Sequence, residues 1–320
     1  MKIIFFLLAL CAVSPLPADY LFKNGHFINV KEVAKLPLEM HFQKGLDALK
    51  SQDWDTATTQ FRIILINFAD SSLALDAQYF LGVALYERGE LDIANEAFST
   101  YLKKANTPTH LEDVHRYKLS IAQKFAAGQR THMFGWESMP RWASGKEEAL
   151  EIFDEVATAL PNHELAAVAI LGKAELLRDM EQFSNAIDTY QSAIRRFPRS
   201  HHALQAFKGI AESYVEAIQV EPQNVDAIAL AEINVRECKN HFPQAPEISY
   251  VEEKLKQMQE IYAKALFETG QLYERMSEQK ASALYYHMSL TKYPSSSVAA
   301  ACKERLEVLS PQLKELKLHG

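Results

Sequence analysis

The chain has 320 residues, 48% of them apolar, with a formal net charge of −7, a pI near 5.9 and only 11 glycines. The acidic balance excludes the basic footprint of a nucleic-acid binder. The low glycine count argues against a sheet protein with many turns and suits helices in series.

The N-terminal segment MKIIFFLLALCAVSPLPA carries one lysine, then an apolar run from Ile3 to Val13, then small residues and prolines. The run is shorter than the roughly 20 residues needed to span a bilayer and fits the apolar core of a secretory signal. Residues 1–18 are therefore expected to be a secretory or lipoprotein signal. Cleavage after Ala18 is one outcome. The other starts from LALC, Leu8 to Cys11, which resembles a bacterial lipobox and would make Cys11 a lipidated first residue; Leu10 departs from the small residue usual there. Cys238 and Cys302 match no metal spacing and read as buried free thiols.

Residues 19–37 form an N-terminal extension in which Asn24-Gly25 between alternating apolar residues predicts a β-hairpin. From Leu38 the period becomes helical. An AxxxF pattern recurs at Ala57–Phe61, Ala94–Phe98 and Ala149–Phe153, with weaker copies at Ala186–Tyr190, Ala231–Val235 and Ser282–Tyr286. Eight residues beyond each aromatic position stand Ala69, Asn106, Pro161, Pro198, Pro243 and Pro294. Twelve residues before the small position stand Gly45, Gly82, Ala174 and Gly270 in four copies. These landmarks match the tetratricopeptide pattern. The small residues let two antiparallel helices approach closely, the aromatic fills the gap to the next unit, and proline ends the second helix.

The expected fold is all-α: a right-handed superhelical array of about six tetratricopeptide-like helical hairpins over 38–310, with a C-terminal capping helix from SSSVAAACKERLEVL and a tail at 311–320. The small positions differ by 37, 55, 37, 45 and 51 residues. The 55-residue interval holds an insertion, 128–145, containing THMFGWESMPRWASG. This segment either folds back to plug a gap with Phe134, Trp136 and Trp142, or offers those rings, with Arg141, to a partner as an interaction hot spot.

No phosphate-binding loop, dinucleotide fingerprint, zinc-protease helix or nucleophile elbow occurs. Thr109 and Glu112 read as a capping box, and His201-His202 as solvated turn residues. No enzyme, cofactor or metal site is expected. Helical repeats act through surfaces. Counting from Gly45 and Gly82 places Glu39, Phe42, Leu46, Leu49 and Lys50, then Asp76, Tyr79, Val83, Tyr86 and Glu87, on the concave face. They read either as an apolar, aromatic peptide groove or as ordinary inter-helix packing.

The stretch ALKSQDWDTATTQFRIILINFADSSLALDAQYFLGVALYERGELDIANEAFSTYLKKANTPTH is similar to the first two repeats of the BamD family, the periplasmic tetratricopeptide lipoproteins of the outer-membrane barrel-assembly machine. Phe134-Gly135 followed by KEEALEIFDEVATALPNHELA resembles that family's interrupted third repeat, and ALFETGQLYERMSEQKASALYYHMSLTKYPSS its penultimate segment. The resemblance spans about Leu38 to Leu309, and the chain is longer than the family norm between Pro198 and Gly270. It implies a lipid anchor at Cys11, location at the inner face of the outer membrane, and an N-terminal groove for unfolded barrel proteins whose signal is aromatic and apolar. It also implies docking of a β-barrel insertase by the region from about Val251 to Leu309. A soluble periplasmic adaptor of cell division or envelope maintenance is the alternative.

Overall fold

The computed structural model describes residues 20–23, 26–29, 32–135, 137, 139–220 and 224–318. The leader with Cys11, the Asn24-Gly25 turn and Trp136 lie outside the described residues. Contacts divide the chain into two compact units, one ending at Gly145 and the other starting at Lys146.

The first unit opens with an antiparallel hairpin, β1 (Tyr20–Lys23) and β2 (His26–Asn29), in register from Tyr20↔Asn29 to Lys23↔His26. Helices α1 (Leu38–Lys50), α2 (Trp54–Asn67), α3 (Ala74–Arg88), α4 (Leu91–Lys104) and α5 (Leu111–Ala126) follow. It closes with β3 (Arg130–His132), a 3-10 turn at Met133–Gly135 and β4 (Arg141–Ser144). The second unit is helical throughout: α6 (Lys146–Ala159), α7 (Glu164–Asp179), α8 (Phe183–Arg196), α9 (His201–Val220), α10 (Val225–His241), α11 (Ile248–Arg275), α12 (Gln279–Lys292) and α13 (Ala299–Leu318). The chain is an all-α helical repeat array. Among the described residues no helix is long and apolar enough to cross a membrane.

One turn recurs inside the hairpins. Gln52, Gly89, Glu181 and Ser277 have φ of 60°, 82°, 60° and 62°. The next residue donates its N–H to a carbonyl five residues back, as in Asp53 to Ala48 and Gln182 to Leu177, both at 2.9 Å. This is the Schellman closure of a helix C-terminus, and the second helix begins two residues past the left-handed position. Helix α5 ends the same way, with Gly128 at φ 98° and Gln129 N–H on the Lys124 carbonyl. By the same rule a helix would start at Arg130, yet the next one starts at Lys146, so about 16 residues (146 minus 130) are inserted after a normal turn.

Glycines and rings set the helix packing. A Cβ on Gly45 would stand 2.7 Å from the Phe61 ring, on Gly82 2.6 Å from Phe98, and on Gly270 2.6 Å from Tyr286. In each pair the glycine lies 16 residues before the ring, in the same hairpin. The second unit also uses the position 19 residues ahead. There Gly172 receives Phe153 and Gly209 receives Tyr190, each in the following hairpin. The first unit fills that forward position with a ring instead: Phe61 stacks on Phe80 at 5.7 Å and Phe98 on Tyr117 at 5.2 Å. The aromatic therefore fills the gap to the next unit, as expected, but in three hairpins it also fills a notch in its own.

Three local expectations change. Helix α13 runs through Pro311 to Leu318, so most of the expected tail is helix. Helix α5 is capped at His110 with no side-chain cap bond, so Thr109 and Glu112 form no capping box. The His110 N–H instead donates to Tyr101 Oη at 3.1 Å, and its ring stacks on Tyr79 at 4.0 Å, which anchors the helix start by tertiary contacts. His202 is not solvated: it is buried in the first turn of α9 against His201, with their ring centroids 3.8 Å apart. Burial, followed by the neighbouring His201, holds its pKa below the usual histidine value.

Candidate peptide cleft and insertion hairpin

Helices α3 and α5 of the first unit border an open cleft of about 430 Å³ lined by Tyr79, Tyr86, Asp113, Arg116, Tyr117 and Ser120. Tyr86 and Tyr117 meet edge to face at 5.0 Å, and Tyr86 Oη shares a hydrogen bond with Ser120 Oγ at 2.7 Å. Lys124 Nζ lies 4.0 Å over the Tyr86 ring, a cation–π contact. Arg116 is drawn to Glu112, with its Nη2 at 2.5 Å from the carboxylate. Burial, then the charges of Tyr117 and Asp113, push the Tyr79 phenol up to about 12. Burial, then the Glu87 carboxylate, also raises Tyr117.

Of the predicted groove residues, Tyr79 and Tyr86 reach this cleft. Tyr79 is only 8% exposed and offers little more than its rim. Phe42 turns edge-on to Phe61 and Phe80, at 6.1 and 6.0 Å, and works as packing between helices. Leu46, Leu49 and Val83 are half-buried, and Lys50 is exposed beside Asp47. The α5 residues were missed, although the register contains all of them but Tyr117. Adding the 37-residue repeat to Asp76, Tyr79, Val83 and Glu87 gives Asp113, Arg116, Ser120 and Lys124. Twelve residues before Ala149 stands Glu137, inside the insertion, so the third unit has no small-residue landmark on α5.

The insertion folds onto its own unit through charges. Glu137 accepts from Arg62 Nη2 of α2 at 2.5 Å and from Arg88 at the end of α3. Asp92, in the first turn of α4, takes the His132 backbone N–H at 2.8 Å and its Nδ1 at 2.8 Å. Arg141 Nη2 lies 2.5 Å from Glu90 Oε2. The strands pair from Arg130↔Ser144 through a bulge to His132↔Arg141. Thr131 and His132 are buried, whereas Trp142 is 68% exposed. Trp142 therefore plugs nothing within its unit. Phe134 lies in the 3-10 turn.

Glu90, Asp92 and His132 bring ligand-type atoms within 4.8 Å of one another. Two carboxylates and an imidazole could hold a divalent metal. Here Asp92 engages Nδ1 of His132, and the Arg141 guanidinium sits on the Glu90 carboxylate, so a side-chain cation already takes the metal's place. The trio works as an ion-pair clasp.

The second unit has a larger cleft of about 780 Å³ between α9 and α11, with Glu253, Lys256 and Tyr293 in its lining. An apolar cleft of about 330 Å³ there is lined by Ile194, Phe207, Ile210, Tyr214, Leu230 and Ile233.

Tetratricopeptide-repeat family models match residues 42–109 and 168–200. No curated protein matches the sequence. Among solved structures the chain is similar to MamA of AMB-1, at 17% identity, covering 67% of this chain and 97% of that one with a TM-score of 0.36. A tetratricopeptide repeat protein from Parabacteroides merdae gives 13% identity, 85% and 98% coverage and a TM-score of 0.36. PilW, a type IV pilus biogenesis factor, gives 16%, 84% and 99%, and 0.29. Likeness at this level bears on neither function nor partner.

Proposed function

We propose that this chain, which carries tetratricopeptide repeats, is a non-enzymatic scaffold of outer-membrane β-barrel assembly. In this reading it is exported to the periplasm and binds the β-barrel insertase and unfolded barrel segments. Lipid on Cys11 tethers it to the inner face of the outer membrane. The observation that supports the binding role is the Tyr79–Tyr86–Tyr117 cleft, in which Tyr79 and Tyr86 stand on positions the repeat register counts for the groove. The leader-like N-terminus and the TPTH and Phe134-Gly135 features support the compartment and the machinery. Trp142, 68% exposed on a hairpin fixed by ion pairs, is the second contact; exposed tryptophan on a rigid support is a typical interface anchor.

The test is affinity capture of the full chain from detergent-solubilised envelopes of its host. Recovery of a β-barrel insertase is expected, and Trp142→Ala is expected to reduce it at least fivefold without changing the melting temperature. A preparation free of any barrel protein removes the assembly role. The soluble adaptor is the second reading, favoured by bulky Leu10 before Cys11. The mass of the mature N-terminus separates the two: a diacylated Cys11 supports the first, and an unmodified Asp19 start supports the second.

A further inference from the structure

The peptide-binding reading leaves open what chemistry the first-unit cleft selects, and the arrangement of its groups points away from an apolar guest. The lining contains three tyrosines, a serine, an aspartate and an arginine, with no aliphatic side chain. An apolar residue placed there would strip water from the Asp113 carboxylate without replacing its hydrogen bonds, which is unfavourable. A cation meets two favourable features instead. Aromatic faces attract ammonium and guanidinium groups through the ring quadrupole, and Tyr86 already holds one such group, Lys124 Nζ at 4.0 Å.

The charges around the cleft are unequally engaged. Arg116 is committed to Glu112, and Lys124 to the Tyr86 ring. Asp113 makes only a 3.9 Å contact with His110 Nδ1, with its side chain 59% exposed. Glu87, next to Tyr86 on α3, is exposed and stands outside the lining at the cleft's edge. The positive groups are thus paired, while both carboxylates remain available to a guest.

We infer that the Tyr79–Tyr86–Tyr117 cleft binds a lysine or arginine side chain of an extended partner segment, with Asp113 and Glu87 as counter-charges and Lys124 as an internal competitor for the Tyr86 face. This deepens the peptide-binding reading and rests on it. It also departs from the aromatic, apolar signal that the family resemblance implies.

The experiment is fluorescence anisotropy on the full chain with labelled nine-residue peptides identical except at the centre, where lysine, arginine, norleucine, phenylalanine or glutamate is placed. Lysine and arginine peptides are expected to bind at least tenfold tighter than norleucine, and glutamate weakest. Asp113→Asn with Glu87→Gln, both at exposed positions, should cut that preference at least threefold. Lys124→Met should tighten the basic peptides by freeing the ring. Equal binding of norleucine or phenylalanine, a preference unmoved by the carboxylate changes, or weaker basic-peptide binding by Lys124→Met overturns the cation assignment alone. Absence of binding by every peptide overturns the peptide groove itself.

Discussion

The Phe98 ring occupies the space a side chain on Gly82 would need: a Cβ there would lie 2.6 Å from Phe98 Cε1 and 2.7 Å from Cδ1. The two residues sit on α3 and α4, 16 apart, and Phe98 is wholly buried. Intrinsic helix propensity favours alanine over glycine by about 1 kcal/mol. Overpacking a tight core costs about 1–3 kcal/mol. Packing should win, because the ring is enclosed by Tyr79 and Tyr117 and has little room to retreat. Gly82→Ala is expected to lower the melting temperature, and Phe98→Leu in the same chain to recover part of the loss. A more stable Gly82→Ala protein would show that the notch has slack.

The hairpin turns give a paired prediction. Glu181 adopts φ 60° and Gly89 φ 82° in equivalent turns. A non-glycine residue in that region pays roughly 1 kcal/mol for the crowding of its Cβ. Glu181→Gly should therefore stabilise the protein by a few tenths to about 1 kcal/mol. Gly89→Ala should destabilise it by a similar amount, although no atom lies within 4 Å of the added Cβ. Chemical denaturation of both variants checks the signs; equal midpoints would mean that the turn conformation carries no strain.

How far the sequence speaks depends on the range of the interaction. The ring-to-glycine spacing, the prolines and the all-α array are local or nearest-neighbour features, and they are written in the chain as recurring residues. The C-caps show this: Phe197, Phe242 and Tyr293 each precede a proline and each end a helix. Gly172 and Gly209 were less legible, because they serve the ring of the preceding hairpin, 19 residues back. The Asp92–His132 and Arg62–Glu137 pairs, 40 and 75 residues apart, had no periodic signature at all. The same holds for the cap at His110, where a ring stack replaced the side-chain bond that local sequence favoured.

Glu137 gives the first unit a pH dependence. Burial raises its pKa, but the hydrogen bonds and charges of Arg62 and Arg88 outweigh that and hold it below the ordinary value of 4.5. A carboxylate depressed in the folded state contributes stability that is fully present above its unfolded pKa and lost as pH falls through the folded one. The protection factors of the β3 and β4 amides, the observed exchange rates divided into the intrinsic rates at each pH, should thus be high at neutral pH and fall as the pH drops below about 4.5. Glu137→Gln should give low protection factors already at neutral pH and remove most of that dependence. Unchanged protection in Glu137→Gln would assign the docking of the hairpin to Asp92 and Glu90 alone.

Cys238 offers a test of the second unit's core. It is fully buried on α10, in a cluster with Phe207, Ala211, Val235 and Val251. Burial, then the charge of Glu247, pushes its thiol up to about 11. The thiolate is the reactive form, so at pH 8 both access and ionisation oppose alkylation. Cys302 is likewise buried, against Tyr286 and Leu309, with its pKa raised mainly by burial. Iodoacetamide at pH 8 should leave both residues unmodified in the native protein over an hour and modify both within minutes in denaturant, read by peptide mass. Opening of α10 from α9 would expose Cys238 first, because α12 and α13 enclose Cys302 independently. Cys302 modified while Cys238 stays protected would place the weakest part of the unit at the capping helix. Rapid native labelling at both would contradict the packing described for this unit.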